Sequence, residues 1–191
     1  MRLGLYGGTF DPLHIAHMII AQGAVDELGL EKLIFMPSRI PPHKTQNHIT
    51  SAEIRLEMVS AATADNPRFV TSDYEIRQQG ISYTVNTLQF LADEYRLAKT
   101  ELFLVIGGDN YKDFNKWREP ERIKSLCTLV VAARPNIISQ QENVNAFHFL
   151  NTPLIDLSAT DIRERVKTGK SIRYLVPEPV LELIRQYQLY T

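Results

Sequence analysis

Apolar positions along the chain fall into two alternating kinds of segment. Short runs at Leu3-Gly4-Leu5-Tyr6, Leu33-Ile34-Phe35-Met36, Leu102-Phe103-Leu104-Val105-Ile106 and Leu129-Val130-Val131-Ala132 are nearly continuous and stop at Gly, Pro or polar residues. Such runs predict strands covered on both faces. Between them the apolar residues recur at helical spacing. Ile15 to Leu28 reads as a helix ended by Gly29, with Gly23 inside it marking tight packing or a bend. Thr50 to Ala64 is a second helix, with Ser51 as its cap and Ile54, Met58, Val59 and Ala62 on one face.

Arg68 to Thr71 is a short third strand and Ser72 to Gly80 a polar loop. A helix from Ile81 to about Ala98 follows, capped by Ser82 or Thr84. Glu121 to Ser125 is a short helix, and Phe147 to Leu150 with Leu154 to Asp156 supply an edge strand. Ser158 and Asp161 have capping-box spacing before a helix that ends at Gly169, and Pro177 to Tyr187 is an amphipathic closing helix. Strand–helix–strand spacing favours parallel pairing and right-handed crossovers. The expected fold is therefore α/β, a single Rossmann-like, doubly wound, mainly parallel sheet flanked by helices. Residues 1–191 form one domain, with about 157–191 as a helical closing segment.

Composition changes this picture little. At 191 residues and 44% hydrophobic the chain can bury a sizeable core, and a net charge of −1 gives no global field for nucleic acid or membrane. Any basic site is local. The one cysteine, Cys127, lies in an apolar run and excludes an intramolecular disulfide. With no apolar run long enough to span a bilayer and no leader pattern, a cytoplasmic location is expected.

Chemistry enters at strand ends. Gly7-Gly8-Thr9-Phe10-Asp11-Pro12-Leu13-His14-Ile15-Ala16-His17 is strand, glycine turn and helix start. That arrangement turns backbone N–H groups and the positive end of a helix dipole toward an anion. Zinc on His14 and His17 lacks further ligands nearby, and neither G-x-G-x-x-G nor G-x-x-x-x-G-K-[ST] occurs. The turn could also be a plain structural one with two surface histidines. After the second strand, Pro37-Ser38-Arg39-Ile40-Pro41-Pro42-His43-Lys44 is a stiff loop. Taken alone, Lys44 reads as a solvated lysine, Asp109 as a helix cap, and Ser158 with Asp161 as a helix start. The lone Trp117 is either a loop anchor or a stacking surface.

Several of these segments together resemble one family. Gly8 to His17 is similar to the GTFDPxHxGH box of nucleotidyltransferases related to bacterial nicotinate mononucleotide adenylyltransferase, with Ala16 where that family usually has Gly. Pro37 to Lys44, Ser82-Tyr83-Thr84, Ile106-Gly107-Gly108-Asp109, Arg134-Pro135 and Ser158-Ala159-Thr160-Asp161-Ile162-Arg163 resemble further boxes of it. The resemblance implies adenylyl transfer from ATP to nicotinate mononucleotide, a step of NAD biosynthesis, with Mg²⁺ on the ATP phosphates.

It implies catalytic or phosphate-neutralising roles for His14, His17, Lys44 and Arg163. Gly7, Gly8, Thr9, Phe10, Gly107, Asp109, Arg134, Ser158, Thr160 and Ile162 would contact ATP, and Thr84, Trp117 and Lys44 the mononucleotide. No nucleic acid or membrane partner is implied, and a homo-oligomer is left open. Phosphopantetheine or another small phosphate as acceptor, or an ATP-binding sensor without turnover, are the rival readings.

Overall fold

The computed structural model describes residues 1–40, 49–78, 80–132, 146–153 and 155–191. Among these, six strands form one parallel sheet: β1 (Leu3–Gly8), β2 (Lys32–Pro37), β3 (Phe69–Thr71), β4 (Leu102–Gly107), β5 (Thr128–Ala132) and β6 (Phe147–Phe149), in the order β3-β2-β1-β4-β5-β6. The order reverses between β1 and β4, and an open sheet offers a crevice at the carboxyl ends of strands at such a reversal.

Alternation along each strand feeds two cores. Tyr6, Leu33, Phe35, Phe103, Val105 and Val130 face α1 (Ile15–Leu28) and α2 (Ala52–Thr63), together with the two C-terminal helices, α7 (Ala159–Lys167) and α8 (Glu178–Gln186). Leu3, Leu5, Ile34, Met36, Leu102, Leu104, Ile106 and Leu129 face the opposite layer, which contains α4 (Thr84–Tyr95) and α6 (Pro120–Leu126). One-residue alternation of apolar side chains on both faces is what a doubly covered sheet demands. Gly4 shows how close the packing is, since a Cβ there would lie 2.4 Å from Leu33 Cδ1 and 2.7 Å from Leu30 Cδ1.

Most expected elements stand within a few residues of their places. α1 starts at Ile15 and ends on Gly29 at φ 58°, and Gly23 faces Thr152, whose Oγ1 would lie 2.5 Å from an added Cβ. Ser51 caps α2 through Ile54 N. Three details differ. The polar stretch after β3 holds a four-residue helix, α3 (Tyr74–Arg77). The α4 cap is Tyr83, neither Ser82 nor Thr84. Ile155 and Asp156 are not in a strand: Ile155 is 47% exposed and the chain turns there, Leu157 N donating to Ile155 O at 3.0 Å. A further helix, α5 (Gly108–Asp113), follows β4 directly.

Candidate active site

The site begins where β1 ends. Beyond Gly8 the backbone doubles back, with Phe10 at φ 48°, and the Phe10 ring lies under Gly8. A Cβ on Gly8 would meet that ring at 2.9 Å, whereas one on Gly7 would meet nothing within 4 Å. Gly8 is thus required by the protein's own packing. The Phe10 ring continues into edge-on contacts with Tyr6 and His17, at 5.8 and 5.1 Å between centroids.

α1 then starts with histidine in two roles. His14 is the N-cap and His17 lies in the first turn, and their rings stack at 3.7 Å with an interplanar angle of 24°. The His14 backbone N–H donates to His17 Nδ1 at 3.2 Å. An Nδ1 that accepts leaves the proton of neutral His17 on Nε2. Burial pushes the His17 pKa well below the ordinary imidazole value, and its neighbour His14 pushes it the same way. Burial lowers His14 to about 4, with Asp161 opposing. Both rings are therefore neutral at pH 7, and His14 Nδ1 is buried with no partner among the described residues. The pair is a neutral donor surface at a helix N-terminus whose first turn carries no acid.

The start of α7 lies beside that of α1. Ser158 and Asp161 form a reciprocal capping box, Asp161 N donating to Ser158 Oγ and Ser158 N to Asp161 Oδ2, each at 3.1 Å. Arg163 donates from Nη1 to Asp11 O at 2.7 Å and from Nη2 to Thr160 Oγ1 at 3.0 Å. A guanidinium has five N–H donors in a fixed fork, so these bonds orient it without exhausting it.

Asp11 and Arg55 hold the turn from behind. Arg55 is 1% exposed, and its donors reach Thr9 O at 2.7 Å, Ser38 O at 2.8 Å, Arg39 O at 3.2 Å and Thr50 O at 2.9 Å. Asp11 takes the Tyr190 hydroxyl on Oδ1 at 2.7 Å and Thr50 N on Oδ2 at 3.3 Å. One buried cation thus ties the end of β1 to the end of β2 and to the start of α2.

On the other side of the turn a cavity of about 550 Å³ opens between β1 and β4. That is ordinary for a small-molecule site. Gly7, Gly8 and Thr9 line one side, and Thr84, Trp117 and Asn110 are among the residues of the rest. Trp117 is partly buried against Phe114 at 5.5 Å, and Arg118 lies over the Tyr83 ring at 4.6 Å. Tyr83 caps α4 without a side-chain hydrogen bond, so no cap side chain occupies the first-turn N–H groups.

A cytidylyltransferase-like family model matches residues 5–165, from β1 into α7. A protein of Exiguobacterium sibiricum named "Probable nicotinate-nucleotide adenylyltransferase" is 42% identical over 193 residues, covering 100% of this chain and 99% of that one. One of the same name from Desulfitobacterium hafniense is 41% identical over 199 residues, covering 99% and 95%. The chain belongs to the nicotinate-nucleotide adenylyltransferase family. Nicotinate-nucleotide adenylyltransferases are nucleotidyltransferase enzymes. Solved folds agree. The Plasmodium falciparum nicotinic acid mononucleotide adenylyltransferase complexed with NaAD superimposes with a TM-score of 0.82 at 17% identity, covering 99% of this chain and 97% of that one.

In this nicotinate-nucleotide adenylyltransferase chain the expected site residues separate into groups. Gly7, Gly8, Thr9, Thr84 and Trp117 surround the cavity. His14, His17, Ser158, Thr160 and Arg163 gather at the starts of α1 and α7, on the far side of the same turn. Gly107 ends β4, where a Cβ would meet nothing within 4 Å, and Asp109 is exposed in the first turn of α5. Two of the expected residues turn their side chains inward. Phe10 is 3% and Ile162 0% exposed, and both pack in the core; the Ile162 N–H is already bonded to Ser158 O at 3.2 Å. Lys44 and Arg134 lie outside the described residues.

Arg55 gave no sign of itself in the sequence, because an arginine between apolar helix positions reads as the solvent face. Asp11 was visible as part of the first box, although its partners at 50 and 190 were not.

Proposed function

We propose that the protein transfers the adenylyl group of ATP to nicotinate mononucleotide, giving nicotinate adenine dinucleotide and pyrophosphate. A phosphate oxygen of the mononucleotide forms a bond to the α-phosphorus while the bond from that phosphorus to the bridging oxygen of pyrophosphate breaks. The attacking phosphate is already anionic at pH 7, so the protein needs no general base. Alignment and charge stabilisation suffice.

The observation that carries the reading is the hydrogen bond from the His14 N–H to His17 Nδ1 at 3.2 Å. With Nδ1 so occupied, Nε2–H is left to donate to the α-phosphate as charge builds. The Gly8-Thr9 backbone and His14 orient the triphosphate, and Arg163 with the α7 start takes the leaving pyrophosphate. The cavity receives the acceptor, its pyridine ring on Trp117 and its acidic substituent toward Thr84 at the start of α4. Gly107 and Asp109 at the β4 exit face the adenosine side, with Arg134 beyond the described residues. Lys44 is assigned to phosphate neutralisation.

Mg²⁺ belongs to this reading as the ion carried on the triphosphate, where it neutralises charge and keeps most of its waters. Among the described residues no three His, Cys, Asp or Glu side chains come together to hold a metal. None of their helices is long and apolar enough to cross a membrane.

Purified protein with ATP, Mg²⁺ and either nicotinate mononucleotide, nicotinamide mononucleotide or phosphopantetheine, scored by pyrophosphate release, tests the reading. Release fastest with nicotinate mononucleotide supports it. Release with phosphopantetheine alone, or with no acceptor, overturns it.

A further inference from the structure

Glu75 has no part in the chemistry above, yet it stands in the wall of the cavity. It is 8% exposed. A buried carboxyl beside a cavity for an anionic acceptor is costly unless its oxygens are turned to donors of the protein. They are. Thr87 Oγ1 donates to Glu75 Oε1 at 2.6 Å, and the Ser82 hydroxyl is near enough to pull the carboxyl's pKa down. Burial raises the Glu75 pKa, and these two hydroxyls pull it back.

Ser82 and Thr87 lie on either side of Tyr83-Thr84, where α4 begins. A threonine inside a helix commonly bonds the carbonyl one turn back, as Thr63 does to Val59 O at 2.9 Å. Thr87, 1% exposed, instead reaches out of its helix to Glu75. The short helix that carries Glu75 is itself fixed. Tyr74 stacks on Phe90 of α4 at 3.8 Å and 8°, and Arg39 Nη1 donates to Ile76 O at 2.6 Å. Ser82 is held as well, its Oγ accepting from Arg39 N at 3.1 Å and its N–H donating to Ile40 O at 3.2 Å. Everything around Glu75 is built to hold one short piece of backbone in place.

We propose that Glu75 is a positioning residue for acceptor selectivity: by taking the Thr87 hydroxyl it sets the α4 start so that its N–H groups favour an acidic ring substituent over an amide. This rests on the cavity being the mononucleotide site. The chemistry of discrimination is simple. A carboxylate only accepts, and suits N–H donors; a carboxamide also presents an N–H₂ that meets them donor to donor. Discrimination of that kind depends on where the donors point, and the Glu75 braces control this without touching the ligand.

Trp117 is the only tryptophan and lines the cavity, so its fluorescence reports binding directly. Wild-type, Glu75→Ala, Thr87→Val and Glu75→Gln proteins are titrated with nicotinate and nicotinamide mononucleotide without ATP, and KM for both substrates is measured alongside. Glu75→Ala and Thr87→Val each reduce the acid-over-amide preference about tenfold, the scale of one buried hydrogen bond to a charged group, with KM for ATP unchanged. Glu75→Gln, whose amide oxygen still accepts from Thr87, keeps the preference within about threefold.

Thr87→Val covers the case in which Glu75→Ala does not fold, since it cuts the same bond from the other side. A Glu75→Ala or Thr87→Val protein with the wild-type preference overturns the proposal, as does one weakened equally toward both mononucleotides and ATP. A Glu75→Gln protein as unselective as Glu75→Ala also overturns it, because the carboxylate charge would then be acting on its own. Wild-type protein that answers neither mononucleotide instead removes the reading of the cavity on which all this stands.

Discussion

The Gly8-Thr9 turn separates two walls that are built differently. Behind it, the side proposed to meet phosphate is held by bonds between parts of the chain far apart: Arg55 to Thr9 across 46 positions, Arg163 to Asp11 across 152 and Tyr190 to Asp11 across 179. In front of it, the cavity wall is tied over shorter spans, with Glu75 on Thr87 across 12 positions and Arg39 on Ile76 and Ser82 across 37 and 43. A group that must meet charge in the transition state gains from a frame that cannot shift. A wall tied over shorter spans has fewer distant parts to keep in register. Phosphate chemistry is therefore expected to be brittle to mutation, and acceptor preference pliable.

The largest effect expected is on the frame itself. Arg55→Ala leaves four carbonyl oxygens without their donor and removes the cation near Asp11, at a cost of about 3–5 kcal/mol in urea unfolding. A loss below about 1 kcal/mol means the arginine is not what holds the turn. His17→Ala comes next, with kcat lower by about 10²–10³ and a thermal midpoint close to wild type, since it removes a donor aimed at developing charge. Near-normal turnover in that variant contradicts the role given to Nε2.

The pH dependence of stability probes the same wall. His14 and His17 have depressed pKa values when folded, so the unfolded chain binds more protons through this range. Stability should be full above the ordinary imidazole value of 6.5 and fall as pH drops toward about 4, His14 contributing up to about 3 kcal/mol. His14→Gln flattens that part of the curve if the assignment is right. For the same reason kcat stays level from about pH 6.5 to 8.5. A decline through that window would mean an imidazolium is needed.

Tyr190→Phe deletes one hydrogen bond to a charged acceptor and costs about 1.5–3 kcal/mol, read as a shift of the unfolding midpoint. The smallest effect belongs to the cavity wall. Trp117→Phe keeps an aromatic face, and KM for the mononucleotide rises only about threefold while kcat holds.

What could be read from the sequence divides along the same line. Local signals were readable: the helix from Ile15 to the left-handed Gly29, the Ser51 cap and the Ser158–Asp161 box each depend on residues within a turn of one another. The glycines of the first turn marked the end of β1, and Thr84 marked the start of α4, both of which line the cavity. The four-residue α3 was missed because Tyr74 to Arg77 is too short to show a period. Ile155 suggested a strand by its apolar side chain, but it is exposed beside no partner strand among the described residues. Arg55 was unreadable for a deeper reason. Its value lies in the carbonyls of Thr9, Ser38 and Thr50, and backbone acceptors carry no sequence signature. Phe10 and Ile162 sat inside true motifs and still turned out to be core, because a contiguous box mixes residues that face a ligand with those that support them.

Asp11 also orders events in time. It leaves the ribosome well before Arg163 and Tyr190, which fasten to it across 152 and 179 positions. The central strands can pair and bury their apolar faces long before that, so a nascent chain already compact would still carry an unfastened turn after β1. Completion of that turn is then a late step of maturation, and amide protons near Asp11 should gain protection after those of β1 and β4 in a pulse-labelled refolding experiment.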